Sequence, residues 1–115
     1  MNLLDGAKTA NYLTTGFWGD QCIKEASKFC NPNDVDGGAA RTSKWTTLPN
    51  PSNWNIDKSA PYFVYVDNET ANGFEFNDFP YEAIPQGMTL VADMSSNIAS
   101  KPIDWSKYGV VYAGA

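Results

Sequence analysis

The sequence predicts an α/β fold with a mainly parallel sheet and flanking helices, and three observations carry that prediction. Residues 62–66, 89–92 and 108–113 are short, continuous apolar runs rather than alternating ones. Bounded by polar or turn residues, such runs mark strands buried on both faces, as in a parallel sheet covered by helices. Between Trp18 and Cys30 the period changes. Ile23, Ala26, Phe29 and Cys30 recur at three- and four-residue spacing, while Lys24 and Lys28 share another face, which is the pattern of an amphipathic helix. Only that one helix is long enough for a crossover, so the α/β pattern looks incomplete.

Residues 10–16 are rich in strand formers, closed by Gly16, and predict the first strand. The helix that follows runs from Trp18 to about Phe29 and is stopped by Asn31-Pro32. Residues 31–40, with Pro32 and the Gly37-Gly38 pair, predict a turn-rich connector. Residues 41–47 hold β-branched residues and Trp45 and predict a strand, and the proline-rich stretch 48–61 predicts a loop. The three apolar runs supply the remaining strands. Within the predicted helix Cys22 and Cys30 lie about 12 Å apart, beyond the roughly 7 Å a disulfide spans, so both are expected as free thiols in a reducing compartment.

Length, charge and composition narrow the function. A chain of 115 residues is one domain or a piece of one. Acidic side chains outnumber basic ones thirteen to eight, for a net charge of −5, which excludes a nucleic-acid binder that depends on a basic face. There is no histidine, so histidine acid–base work, Ser–His–Asp and Cys–His nucleophiles and His-ligated zinc are all excluded. No metal site is expected. Arg41 is the only arginine and leaves little for gripping a phosphate. The first ten residues have no apolar signal core, and no stretch reaches the roughly 20 apolar residues of a membrane span. A soluble cytoplasmic protein, free of membrane, is the expectation.

Two apolar runs end in polar clusters: Asp67-Asn68-Glu69-Thr70 and Asp93-Met94-Ser95-Ser96. Ligands of open α/β sheets bind outside the carboxyl ends of the strands, so both clusters could face one ligand. Turn formation and helix capping are the ordinary uses of such residues. Trp18 opens the helix after Gly16, where its ring could stack on a planar ligand or simply pack. Trp45, Trp54 and Trp105 are expected to pack, and no glycine-rich phosphate loop is present. An Asp at one strand tip, a hydroxyl at the next and a planar aromatic can together surround pyridoxal phosphate. The carboxylate would keep the pyridine nitrogen protonated, the hydroxyl would bond the phenolic oxygen, and the indole would stack on the ring.

The strings Asn68-Glu69-Thr70-Ala71-Asn72-Gly73-Phe74-Glu75-Phe76 and Leu90-Val91-Ala92-Asp93-Met94-Ser95-Ser96-Asn97 resemble the phosphoserine aminotransferase family. So does the stretch from Ser100 through Pro102-Ile103-Asp104 and Tyr108-Gly109-Val110-Val111-Tyr112 to Ala113-Gly114-Ala115, and so does Ala10 to Trp18. The resemblance covers nearly the whole chain and is weakest at residues 31–47. It implies a partial large, cofactor-binding domain of a fold-type I pyridoxal-phosphate aminotransferase over residues 1–115, with no second domain. The family is homodimeric and acts in serine biosynthesis, interconverting 3-phosphohydroxypyruvate plus glutamate with O-phosphoserine plus 2-oxoglutarate. By motif, Trp18 would stack on the cofactor ring, Thr70 would contact its phenolic oxygen and Asp93 would pair with its nitrogen.

The departure from the family is at the end of the chain. In the family Ala-Gly-Ala runs into Gln-Lys-Asn, whose lysine forms the Schiff base; here that lysine would lie beyond Ala115. No catalytic residue is therefore assigned within the chain, which is expected to be a central fragment and inactive by itself. The alternative is a non-catalytic truncated relative acting as an interaction or scaffold protein. A carbohydrate-binding module or carboxylate-pair glycosidase, suggested by four tryptophans and many acids, explains none of the long match.

Overall fold

The computed structural model describes residues 3–114. In chain order the elements are β1 (Thr9–Tyr12), α1 (Phe17–Ala26), β2 (Asn31–Asp34), α2 (Ala39–Thr42) and β3 (Tyr62–Val66). They continue with β4 (Asn68–Glu69), β5 (Phe74–Glu75), β6 (Thr89–Asp93) and β7 (Val110–Tyr112). Single 3-10 turns lie at Pro51–Asn53, Tyr81–Ala83 and Trp105–Lys107. Five strands form one sheet in the order β2-β1-β3-β6-β7, and every pair in it is parallel. β4 and β5 form a small antiparallel hairpin.

The apolar runs build the centre of this sheet. β3 is buried at all five positions and pairs with β6 from Tyr62 opposite Thr89 to Val66 opposite Asp93. Side chains alternate across a strand, so Tyr62 and Val64 join Val91 on one face while Phe63 and Tyr65 join Leu90 and Ala92 on the other. Ala10 and Tyr12 of β1 extend the first face, and Ile23 and Ala26 of α1 pack on it together with Leu4. An aromatic cluster covers the second. Phe79 stacks on Tyr65 at 4.0 Å between ring centroids and meets Phe63, Phe76, Tyr81 and Trp54 within 6.3 Å. The expected mainly parallel sheet with flanking helix is thus present, with α1 on one face and irregular chain rich in aromatic residues on the other.

Several boundaries differ from those the sequence predicts. The first strand covers Thr9–Tyr12, and residues 13–16 instead turn into α1, which stops at Ala26. Cys30 lies beyond that helix, yet both thiols are free and half-buried as expected. Residues 31–34 are strand rather than connector. β2 is a sheet edge, where a proline is tolerated, and Asn33 Nδ2 donates to Asn11 Oδ1 at 2.8 Å across the pair. Residues 41–47 are not strand. Asp36 accepts from Gly38 N (3.0 Å) and Ala40 N (2.8 Å) and starts the one-turn helix α2. Lys44 and Trp45 then both take positive φ, which no strand accommodates. β7 is not buried on both faces either: Val110 and Val111 are half-buried and Tyr112 is exposed. Its predicted apolar run stops short of Ala115, which lies outside the described residues. Trp54 packs in the core as expected, whereas Trp105 is 58% exposed.

Arg41 ties α2 to its neighbours, with Nε 2.8 Å from Asp20 Oδ1 and a longer 3.3 Å contact to Asp34 Oδ2. Burial first, and then the neighbouring Asp36, push the Asp34 carboxyl up to about 6, against the pull of Thr14 and Arg41. An acid held more strongly protonated in the folded state contributes stability below its unfolded pKa of about 3.9 that is lost as pH rises through 6. Asp34→Asn is therefore expected to stabilise the chain at pH 7 by on the order of 1 kcal/mol, with the gain gone near pH 4. Urea denaturation of both forms at the two pH values measures this. A difference independent of pH would contradict it.

Candidate functional site

The two polar clusters singled out in the sequence follow β3 and β6, which are adjacent and parallel, so they emerge at the same end of the sheet. Between them and the start of α1 lies a cleft of about 380 Å³ lined by Trp18, Val66, Asn68, Thr70, Asp93, Ser95 and Ser96. The fold thus brings Trp18, Thr70 and Asp93 into one cleft at the carboxyl ends of the strands. On the far side of Trp18, a more open groove of about 500 Å³ runs toward Cys22, Phe29 and Tyr112 and also reaches Asp93.

Each of the three side chains is held by a different device. Asp93 closes β6, and both Ser95 N (2.9 Å) and Ser95 Oγ (2.6 Å) donate to its Oδ1. Ser95 Oγ also accepts from Gly114 N at 3.0 Å, which fixes the turn to the segment after β7. Thr70 is exposed at the tip of the β4–β5 hairpin. The hairpin is tied to the Asp93 turn by Ser96 Oγ, which donates to Asn68 O at 3.2 Å. Trp18 sits in the first turn of α1, with its ring edge-on to Phe17 at 5.1 Å. It is 49% exposed, which leaves the indole half open to a ligand.

The start of α1 has no local cap, because Gly16 occupies the N-cap position. Its free amides are satisfied by the hairpin instead. Trp18 N donates to Glu69 Oε2 at 2.8 Å, Gly19 N to Glu69 Oε1 at 2.7 Å, and Phe17 N to Asn72 Oδ1 at 2.7 Å. Glu69 is fully buried. Burial pushes its carboxyl above the usual range, the two amides pull it back down, and the charges of Asp93 and Asp20 add to the rise. The positive end of the helix favours its ionised form.

A second polar network lies beneath the hairpin. Buried Asp67 accepts from Lys101 Nζ (3.0 Å), Asn97 Nδ2 (2.6 Å) and Tyr65 OH (3.1 Å). From Tyr65 the hydroxyls continue through Tyr108 (3.1 Å) to Tyr81 (2.7 Å). Lys101 also reaches Phe76 O and Glu75, so it holds β5 against the turn after β6.

The sequence pointed to the cleft but not to this support. Glu69 falls within the cluster Asp67-Asn68-Glu69-Thr70, yet the sequence assigns no role to it, to Asn72 or to Lys101. One signal was available for Glu69. A helix that opens on glycine has no side chain of its own at the N-cap and must find acceptors elsewhere. Among the described residues no group of three or more His, Cys, Asp or Glu is placed to hold a metal ion. No helix of the described chain is long and apolar enough to cross a membrane.

No protein-family model matches the chain. Its sequence is 44% identical to the phosphoserine aminotransferase of Drosophila melanogaster over 115 residues, which is all of this chain and 30% of that protein. The solved phosphoserine aminotransferase of Bacillus circulans subsp. alkalophilus superposes with a TM-score of 0.87 and 34% identity, over 98% of this chain and 30% of that one. A phosphoserine aminotransferase from Trichomonas vaginalis, solved with pyridoxal phosphate bound, gives a TM-score of 0.71 and 33% identity over 99% of this chain and 31% of that one. The chain therefore spans about 30% of the length of the proteins it matches. Along that span the chain is similar to the phosphoserine aminotransferases in both sequence and fold.

Proposed function

We propose that this chain supplies the ring-binding part of a pyridoxal-phosphate aminotransferase that interconverts 3-phosphohydroxypyruvate plus glutamate with O-phosphoserine plus 2-oxoglutarate, a step of serine biosynthesis. The observation that carries it is the convergence of Trp18, Thr70 and Asp93 on one cleft at the carboxyl ends of β3 and β6. The donor set fits the cofactor ring: a carboxylate oriented by Ser95, an exposed hydroxyl and a half-open indole. The lone arginine is engaged with Asp20 and Asp34, so the groups that would grip the cofactor and substrate phosphates are read as lying outside this segment. In the whole enzyme they belong to a homodimer, with small-molecule substrates and no nucleic acid. The two free thiols fit a cytoplasmic protein.

When bound, pyridoxal phosphate supplies an electron sink for carbanion chemistry at the substrate Cα. The residues here tune and hold it. Asp93, with Oδ1 fixed by Ser95, would offer a negative charge to the pyridine nitrogen and hold a proton there, since a neighbouring carboxylate raises the pKa of a base. Thr70 would donate its hydroxyl to the phenolic oxygen. Trp18 would stack on the ring, exclude water from that face and fix its tilt.

Pyridoxine 5′-phosphate tests this directly, because it has the ring and phosphate but no aldehyde and cannot label lysines at random. Titrated into the chain, it is expected to shift the Trp18 indole resonance saturably; affinity read for every variant from the phosphorus-31 resonance of the ligand should fall about tenfold for Trp18→Ala and for Asp93→Ala, the scale of one lost charge-assisted or stacking contact. Binding unaffected by either substitution would contradict the assignment.

A further inference from the structure

We propose that Glu69 is a positioning residue: it clamps the N-terminus of α1 to the β4–β5 hairpin and thereby sets Trp18 and Thr70 on opposite walls of the cleft. The proposal rests on the ring-binding reading of that cleft.

An α-helix begins with amides that have no partner inside the helix. Usually the N-cap side chain takes one of them and water the rest. In α1 the N-cap is Gly16, and the acceptors for Phe17, Trp18 and Gly19 all come from the hairpin. Glu69 contributes two of the three bonds with a single carboxylate, at 2.8 and 2.7 Å. One of those amides belongs to Trp18 itself, and the residue after Glu69 is Thr70. One buried side chain therefore fixes the backbone of the stacking residue relative to that of the hydroxyl residue.

The surroundings are built around this bridge. A Cβ on Gly16 would lie 2.5 Å from Glu69 Cδ and 2.7 Å from Asn72 Oδ1, and one on Gly19 would lie 3.0 Å from Glu69 Oε1. Both glycines give the carboxylate room to reach the helix end. Glu69 is 0% exposed, so water cannot replace its bonds without opening the interface between helix and hairpin. Such a bond to a charged acceptor is also stronger than a neutral cap. A local cap from a residue at position 16 would satisfy the helix equally well, but it would leave the hairpin free to move relative to Trp18.

The test uses the full chain with Glu69→Gln, which keeps the size of the side chain but only one acceptor, and with Asn72→Ala, which frees only the Phe17 amide. Two readouts are taken on each folded variant: hydrogen exchange at the Trp18 and Gly19 amides, and affinity for pyridoxine 5′-phosphate. For Glu69→Gln, exchange at one or both amides should speed up about tenfold and affinity should fall about tenfold, the size of one lost capping bond. Asn72→Ala should leave both amides protected. Unchanged exchange in Glu69→Gln would overturn the clamp. Faster exchange with unchanged affinity would make Glu69 a helix cap and nothing more, and would overturn the positioning role. If the unsubstituted chain ignores the ligand, the ring-binding reading itself fails, while the exchange readout still shows separately whether the clamp exists.

Discussion

Gly16→Ala is expected to destabilise the fold by about 3 kcal/mol, at the upper end of the cost of overpacking a buried site. Gly16 has an extended backbone that any residue can adopt, so conformation is not the reason. Space is. The added Cβ would sit 2.5 Å from Glu69 Cδ and 2.6 Å from Cγ, well inside van der Waals contact. Glu69 cannot step aside without breaking its bonds to Trp18 N and Gly19 N, and its buried carboxylate would then lack donors, which costs more than the clash alone. Urea denaturation should show the full loss in midpoint with an unchanged slope. The same substitution in a Glu69→Ala background should cost less, because the contacts with Glu69 Cγ and Cδ are gone and only that with Asn72 Oδ1 at 2.7 Å remains. A Gly16→Ala chain as stable as the parent would mean that α1 and the hairpin are not locked together.

Asp67→Ala is the second substitution with a large expected effect, again about 3 kcal/mol, or roughly 10 °C in Tm. It strips the acceptor from Lys101, Asn97 and Tyr65 at once. Lys101 is the least affected, since its side chain is 32% exposed and keeps Phe76 O and Glu75. Asn97 and Tyr65 are buried and each keeps a single partner, Glu75 Oε1 for Asn97 Nδ2 and the Tyr108 hydroxyl for Tyr65, so the cost there is the loss of their charged acceptor. Asp67→Asn, which retains an acceptor for Tyr65, should cost less than half as much. A double-mutant cycle with Lys101→Met apportions the ion pair. A loss under 1 kcal/mol for Asp67→Ala would show that the network is not a unit.

What the sequence made legible follows from how locally each feature is encoded. The runs at 62–66 and 89–92 announced central parallel strands because their burial is nearly complete, and burial on both faces leaves no other composition open. β7 carried the same apolar signal but lies at the edge of the described sheet. β2 was hidden because an edge strand needs no apolar face: Asn-Pro-Asn-Asp reads as a turn, and only the parallel register with β1 makes it a strand. Residues 41–47 misled in the opposite way. Their β-branched content was overridden by the Asp36 cap and the positive φ of Lys44 and Trp45.

The cleft itself was legible because strand tips collect ligands in this class of sheet and because the long motif matches placed Trp18, Thr70 and Asp93 together. Its support was not. Glu69 bonds to amides about fifty residues away in sequence, and Asp67 meets Lys101 across 34 residues. Backbone amides have no side-chain identity, so no spacing pattern in the sequence reveals which acceptor they will find.

The central claim is that Asp93 meets the pyridine nitrogen, and the protonation of that nitrogen is its most direct measure. Pyridoxine 5′-phosphate labelled with nitrogen-15 in the ring reports it by chemical shift. Bound to the chain, the nitrogen should remain protonated to a pH at least one unit above its value in free solution, the effect of about 1.4 kcal/mol of favourable charge interaction. Bound to Asp93→Asn, it should titrate as it does in water or lower. A bound nitrogen that titrates identically in both forms would contradict the account.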